Sequence, residues 1–460
     1  MVKFLEDFFV AMRPAFSRRA AYSWFVVVFV GFIMRNDTFG VTSIVRALSL
    51  PASSYPCLLH FFHSSAWTGD VFLQHWRQWL TKQKAFYPVG ERLVFIGDHT
   101  KAPKDGRKIP QVTTLHQESE TSSKPSFFRG HHWACIGLLS RTKTKFFSIP
   151  LWAEIHHDGL SETLTTRIVA KAGDIASSMK SPALLVLDAF FAVGPVFQTA
   201  AKFSGNLHIL TRAKKNAVAY QDAPKIRKAK RGRPRKYGKK VRLIELFDKW
   251  ADKFETEKAT VYGDVQSIHS LTLDLIWKPI KRKMRFILLE TSHGRIILMT
   301  SDFSMSAKQA CELYCHRVTI ETVFYMLKNI LGGMEYHFWS QYLTPSSRRP
   351  TKNKKETQKT SKPEKTQNTF DAIQKFLIVQ LVVLGTIQLI SALFSKQVFA
   401  EANCWLRTPC GETPSVFITR NAIRNILQKN IFNLAKNQIT RLILEKKNKH
   451  ENTASKQNAA

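Results

Sequence analysis

Residues 314–328 read YCHRVTIETVFYMLK. Four of these side chains, Tyr314, Arg317, Glu321 and Lys328, follow the spacing Tyr-x2-Arg-x3-Glu-x6-Lys. At roughly 100° per residue on an α-helix, all four fall within an arc of roughly 60°. Ile320, Val323, Phe324 and Leu327 fall on a neighbouring arc that can face a core. The stretch predicts one helix with an apolar stripe and, beside it, an acid, two cations and a phenol. An acid there can hold a metal ion and the cations can hold phosphates, which points to phosphodiester chemistry. An ordinary surface helix with a salt-bridged face would show the same residues, so the helix alone leaves both readings open.

The charge balance bears on that choice. The 460 residues include 69 Lys or Arg against 34 Asp or Glu, a formal net charge of +35. Such a chain must resist self-repulsion or meet a polyanion, and nucleic acid is the usual one. Lys225 to Lys240 (KIRKAKRGRPRKYGKK) holds ten Lys or Arg and no acid. Arg231 and Arg233 lie in its RGRP core, which resembles the minor-groove-binding AT-hook. A solvated loop or a localisation-like basic run is the plainer alternative.

Hydrophobic residues make up 44% of the chain, so it is largely globular and long enough for two or three domains. Six scattered cysteines follow no zinc-finger spacing and are expected to be reduced thiols, which excludes a disulfide scaffold. Cys311, Cys315 and His316 carry a weak metal suggestion, with burial on one helix the competing reading. Trp24 to Met34 is too short to span a membrane. Phe376 to Phe394 is long enough, but it contains Gln380, Gly385, Thr386 and Gln388 and reads as a buried helix.

Residues 1–85 look helical and suit a small DNA-binding region. From about 91 the pattern changes to short strands: LVFIGDHT ending near Asp98, WACIGLLS, then KFFSIPLWAEI. A helix over Ser161 to Met179, the strand ALLVL before Asp188, a short helix and the strand LHILTR follow. That order predicts an α/β fold with a mixed sheet over 86–342, interrupted by an insertion at about 213–284. RFILLE and RIILMTSDF predict a hairpin around Ser292 to Gly294. Residues 343–369, rich in Lys, Thr and Ser, are expected to form a disordered basic linker, and 370–460 a helical region with a basic tail.

Asp98 and Asp188 each end an apolar strand. If the strands are neighbours, the carboxylates repel unless a divalent cation lies between them. Glu321 adds a third hard oxygen ligand, suited to Mg²⁺ or Mn²⁺. Two such ions roughly 4 Å apart can serve an in-line phosphoryl displacement. Arg317 and Lys328 would then hold DNA phosphates, and Tyr314 could hydrogen-bond a phosphate oxygen. Arg212, Lys214 and Lys215 follow a core strand and are further candidates for phosphate contact.

Here the sequence resembles the bacterial DDE-type, cut-and-paste insertion-sequence transposases with the Y-R-E-K signature. Tyr314, Arg317, Glu321 and Lys328 match that signature at every interval. Asp98-His99-Thr100 resembles the first motif, usually Asp-Asp-Thr or Asp-x-Thr, and VLDAFF supplies the second aspartate. About 90 and about 130 residues separate the successive acids, leaving room for an insertion before the glutamate. GRPRKYG and GHHWACIGLL also look familial, and the resemblance spans roughly residues 15–430.

The resemblance implies a ribonuclease-H-like core with a β-rich insertion before the glutamate helix, flanked by helical terminal regions. It implies two Mg²⁺ (or Mn²⁺) ions held by Asp98, Asp188 and Glu321. It also implies a homodimeric synaptic complex on double-stranded DNA with terminal inverted repeats, a target DNA, and a cytoplasmic, nucleoid-associated place with no membrane role. The implied reaction is nicking, hairpin formation, hairpin opening and strand transfer. Relatives hold a flipped base with a tryptophan near the insertion, for which Trp277 is a candidate. His99 departs from the first motif.

Other groups have plainer readings beside functional ones. Asp302 rivals Glu321 as the third acid, but its segment lacks the flanking cations. Glu154, His156, His157 and Asp158 look metal-like, yet imidazoles are poor Mg²⁺ ligands and a loop is the simpler reading. His131 and His132 could position substrate or be structural. Three functions compete: an active transposase, a catalytically silent DNA-binding descendant, and a membrane-associated basic protein using Phe376 to Phe394.

Overall fold

A computed structural model describes residues 1–83, 87–89, 91–117, 126–157, 159–203, 205–224, 235–347, 358–402 and 411–448. Arg231 and Arg233 therefore lie outside the described residues, as does Asp158.

The N-terminal helices are held by aromatic side chains. They are α1 (Val2–Met12), α2 (Arg19–Met34), α3 (Ser54–His63) and α4 (Gly69–Leu80). Phe8, Phe9, Phe25, Phe29, Trp76 and Trp79 interlock with neighbouring ring centroids between 5.1 and 6.4 Å apart, largely edge to face. The Thr68 hydroxyl caps α4 by accepting from Val71 N–H.

The sheet begins with β1 (Arg92–Pro103), β2 (Phe127–Arg141) and β3 (Phe146–Ile155). A Thr163–Thr166 capping box opens α5 (Leu164–Ser178), which leads to β4 (Ala183–Leu187), α6 (Gly194–Ala200) and β5 (Leu207–Arg212). Every residue of β4 is buried, as its unbroken apolar run requires of a central parallel strand. β1 pairs parallel with β4, β4 parallel with β5, and β2 antiparallel with both β1 and β3. The resulting order, β3-β2-β1-β4-β5, is the ribonuclease-H-like arrangement.

The insertion does not form a separate body. β6 (Glu255–Val261), β7 (Asp264–Trp277), β8 (Arg282–Thr291) and β9 (Gly294–Thr300) make an antiparallel meander. β9 pairs with β5 through Leu298 and Arg212, so the meander continues the core sheet. Its last hairpin turns through Ser292 and His293, and Gly294 adopts φ +98°, which favours glycine.

The 314–328 segment corrects the expectation of one regular helix. α7 (Ala307–Cys315) passes through a 3₁₀ turn at His316–Val318 into α8 (Thr319–Tyr325), and a π-helical turn at Met326–Ile330 ends the run. Such irregular turns shift the side chains away from the 100° spacing. The segment lies across the sheet: Thr319 and Ser148 share a hydroxyl hydrogen bond of 2.6 Å, and Ile320 stands over Gly137.

The long apolar helix α9 (Pro363–Leu393) is buried among the N-terminal helices and β3. Its most apolar 18-residue window is 89% buried within the protein. Its polar residues have specific partners there. Gln380 accepts from Arg35, Gln388 donates to Ser148 O, and Thr386 bonds back to Val382 O. The expected disorder over 343–369 needs correction at both flanks. Leu343 bridges Thr360, Ser361 N–H donates to Tyr342 O, and α9 begins at Pro363. Backbone and hydroxyl hydrogen bonds order these mostly polar flanks, with Leu343 buried among them; residues 348–357 lie outside the described residues. The C-terminal region continues through α10 (Val416–Phe432) and α11 (Gln438–Asn448).

Two buried arginines bind these layers together. Arg35, just past α2, donates to the carbonyls of Leu331, Gly332 and Gly40, to Ser43 Oγ and to Gln380 Oε1. Arg420 on α10 donates to the carbonyls of Ile33, Ile330 and Arg35. Both cations thus satisfy carbonyls left over at the C-termini of α2 and of the 326–330 turn. Gly332 closes that turn at φ +64°, where an added Cβ would meet Thr38 at 2.4 Å. Burial, with Arg420 adjacent, pulls the Arg35 pKa down to about 9. Replacing it with leucine strands several buried acceptors at once, each costing roughly 1–3 kcal/mol. Arg35→Leu is expected to lower the urea unfolding midpoint sharply; an unchanged midpoint would show that the carbonyls find other donors.

Candidate active site

Strand register brings the first two acids together. Ile96 pairs with Val186 across the parallel β1–β4 ladder, and Asp98 and Asp188 each stand two residues further on. They therefore leave the same end of the sheet on the same face. Glu321, in the first turn of α8, joins them from above. Asp98 feels the charges of Asp188, Arg317 and Glu321 together.

Arg317 stands between two of the acids. Its guanidinium donates to Asp98 Oδ2 at 3.3 Å and to Glu321 Oε1 at 2.5 Å. Burial works against its charge, but Glu321 and Asp98 outweigh that and hold its pKa above the ordinary guanidinium value. Asp98 Oδ1 accepts from His99 N–H at 2.7 Å. Burial, aided by repulsion from Asp188 and Glu321, still pushes the Asp98 pKa up to about 7. Asp188 accepts from Phe190 N–H at 3.0 Å, and its carbonyl takes the Thr211 hydroxyl.

Lys328 docks on the first motif. Its Nζ donates to Thr100 Oγ1 at 2.7 Å and to Lys101 O at 3.0 Å, and burial lowers its pKa. Thr100 shares a strand face with Asp98, so it fixes the lysine beside the acids. Burial raises the Tyr314 pKa to about 12, so its phenol stays protonated and can donate. Arg212, at the end of β5, lies close enough for its charge to act on Tyr314. Lys214 and Lys215 are exposed just beyond.

The arrangement favours a cation. Carboxylates converge where Arg317 already supplies a positive charge between two of them, and their oxygens suit a hard divalent ion. Among the described residues, no three His, Cys, Asp or Glu side chains stand at metal-binding spacing. With the guanidinium between them, Asp98 and Glu321 are held on Arg317 rather than on a common point.

Two family models match the chain. Residues 11–151 match a DDE superfamily endonuclease, and residues 141–338 match a transposase DDE domain. Asp98 falls in the first match; Asp188, Glu321 and the whole 314–328 segment fall in the second. Together the two matches span residues 11–338 and support a DDE-type transposase. No curated protein matches it. Among solved structures it is similar to the piggyBac transposase synaptic complex with hairpin DNA, at 12% identity over 92% of this chain and 77% of that one, TM-score 0.36. It is also similar to the NurA nuclease from Sulfolobus solfataricus, at 8% identity over 63% of this chain and 100% of that one, TM-score 0.21. The assignment rests on the two family matches, not on these distant likenesses.

Several other residues have structural partners in this DDE chain. Trp277 is buried against Phe197 at 5.5 Å, which leaves no ring face for a base. Strand alternation turns His99 to the opposite face of β1 from Asp98, where it stacks on Phe191 at 5.1 Å. Asp302 is buried and paired with Arg92 at 2.5 Å. Glu154 pairs with Arg167 at 2.7 Å. His131 is buried between Tyr336 and Pro110 O. Cys311 and Cys315 are buried free thiols on α7.

Two residues near the site escaped the sequence reading. Tyr262 sits at the β6–β7 hairpin tip with φ +51° and 58% exposure, near Cys315, Arg317 and Arg212. The Tyr-Gly pair at 262–263 signals that turn, but nothing local says that it reaches α7. Phe190, beside Asp188, is 54% exposed.

The raised Asp98 pKa has a consequence for stability. The protonated carboxyl contributes stability that is fully present below the unfolded value of 3.8 and is lost as pH rises through about 7. In EDTA at pH 8, Asp98→Asn is expected to be more stable than wild type by up to roughly 4 kcal/mol, the gap closing by pH 4. Denaturation curves across that range test this, and equal midpoints at pH 8 would refute it.

Proposed function

We propose that this chain is a cut-and-paste DNA transposase that binds transposon ends, cleaves them with divalent metal, and joins them to a target. The observation that supports this most is the nearness of Asp98 to both Asp188 and Glu321, with Arg317 bridging Asp98 and Glu321. Asp98, Asp188 and Glu321 would hold the metal, with Mg²⁺ or Mn²⁺ as the ion and two per site as the working number. Bound there, such ions supply charge neutralisation at the scissile phosphate and activation of an attacking water or 3′-hydroxyl.

The chain's own residues do the rest. Arg317 forks towards either a carboxylate or a phosphate, so release from Asp98 and Glu321 frees it for the DNA backbone. Tyr314 donates its phenol proton to a phosphate oxygen. Lys328 spends two of its three N–H donors on Thr100 and Lys101 O, leaving one for phosphate. Arg212 and Lys215 extend the cationic surface along the end of β5. Arg231 and Arg233 would add minor-groove contacts.

The remaining parts of the reading follow from it. Residues 1–85 form a DNA-binding region, and 86–342 the catalytic domain. The active assembly is a homodimer on inverted repeats, in a bacterial nucleoid and away from membranes. The resemblance to the Y-R-E-K group suggests a hairpin intermediate.

Purified protein with a plasmid carrying its gene and flanking DNA provides the test. Mg²⁺ should produce double-strand breaks at the element's borders. Glu321→Gln should reduce cleavage by roughly 10²-fold or more while border binding persists. Binding without cleavage by the wild type, in Mg²⁺ and in Mn²⁺, would favour the silent-descendant reading. Arg317→Ala should weaken both binding and cleavage; unchanged activity would remove its phosphate role.

A further inference from the structure

Behind the catalytic helix lies a cavity of about 750 Å³ that the proposed chemistry does not use. Its walls are the outward face of the 319–330 helical run, the start of β3, the C-terminal end of α2, and the N-terminal turns of α10. The volume suits a small organic ligand.

The charge in this cavity is unbalanced. Arg35, Lys145, Arg420 and Arg424 line it, against the single acid Asp37. Asp37 is already paired with Arg46 at 3.0 Å. Arg35 and Arg420 are held by carbonyls, as described above. Arg424 is half-buried and donates only to the neutral Asn36 side chain among the described hydrogen bonds. Lys145, at the rim, is exposed, and no ion pair among the described residues uses it or Arg424. Desolvation lowers the pKa of Arg424, so an arriving anion would relieve an existing cost.

The cavity also offers ring surfaces: Tyr325 and Phe417, among its lining residues, are 60% and 50% exposed.

We propose that this cavity binds a nucleotide, with its heteroaromatic ring against Tyr325 and Phe417 and its phosphate on Arg424 and Lys145. Aromatic faces take a base of any sequence, and guanidinium holds phosphate as a fork. Two sources share this chemistry: a free nucleoside monophosphate and a nucleotide of single-stranded DNA. Because Thr322 and Tyr325 belong to the helix that carries Glu321, occupancy would stiffen that helix from behind. The site is independent of the proposed transposition chemistry.

Calorimetric titration of the full-length protein with AMP tests the proposal in metal-free buffer. AMP should bind, with adenosine and ribose 5-phosphate each weaker by about tenfold or more. Arg424→Gln, with an unchanged circular dichroism spectrum, should weaken AMP by about tenfold or more, the scale of one charge-assisted hydrogen bond. Phe417→Ala should weaken it as well, while Arg317→Ala leaves it unaltered. Displacement of AMP by a (dT)6 oligonucleotide would assign the site to a DNA strand, and no displacement would assign it to free nucleotide; both uphold it. Absence of binding by both probes at millimolar concentration overturns the proposal. So does binding that Arg317→Ala abolishes and Arg424→Gln spares, since the nucleotide would then sit in the catalytic cleft.

Discussion

Parallel pairing of β1 with β4 is the constraint on which the site depends. With Ile96 opposite Val186, the two aspartates emerge side by side. A slip of one residue would send one of them to the face covered by α5. Gly97 shows how closely that opposite face is packed: an added Cβ would meet Leu187 at 2.9 Å and Ile168 of α5 at 3.0 Å. The register is thus fixed by apolar contacts that have no part in the chemistry.

Bringing three carboxylates into one half-buried place is costly, and the protein meets that cost with positive charge. Arg317 bridges two of the acids, and the Asp98 pKa stays raised, chiefly through burial, with repulsion from Asp188 and Glu321 adding to it. On the proposed function, the same guanidinium would compete with metal for the acids and hold phosphate, so that metal and DNA binding would be coupled through it. Lys328 is different: its hold on Thr100 ties the end of the Glu321 run to β1.

The helical regions at the two ends of the chain form one support. α9 runs through the middle, with α2 and α4 on it and β3 beneath. Arg35 and Arg420 reach from α2 and α10 to the last carbonyls of the catalytic run. Buried cations on helix C-termini tie the end of the Glu321 run to residues 296 and 90 positions away in sequence. The linear division into terminal regions and catalytic core therefore does not describe how the protein packs.

Much of the core was legible in the sequence, because strand runs, acid positions and the Tyr-Arg-Glu-Lys intervals are local patterns. ALLVL could only be a buried strand, and an acid at its end could only be exposed at its edge. The polar residues of Phe376 to Phe394 marked a helix with specific partners. Other features were not legible. The break at His316–Val318 follows from how α7 and α8 each seat on the sheet, and no residue there announces it. Tyr262 reaches Arg317 only because the meander continues the sheet past β5. His99 is turned from the acids by strand alternation, and Trp277 is closed off by Phe197. Sequence by itself determined the order of the elements and where the candidate acids and cations lie along them, since both rest on neighbours along the chain. Tertiary structure alone decided which charges meet, because Arg317 and Asp98 are joined by packing across 219 positions that no local pattern encodes.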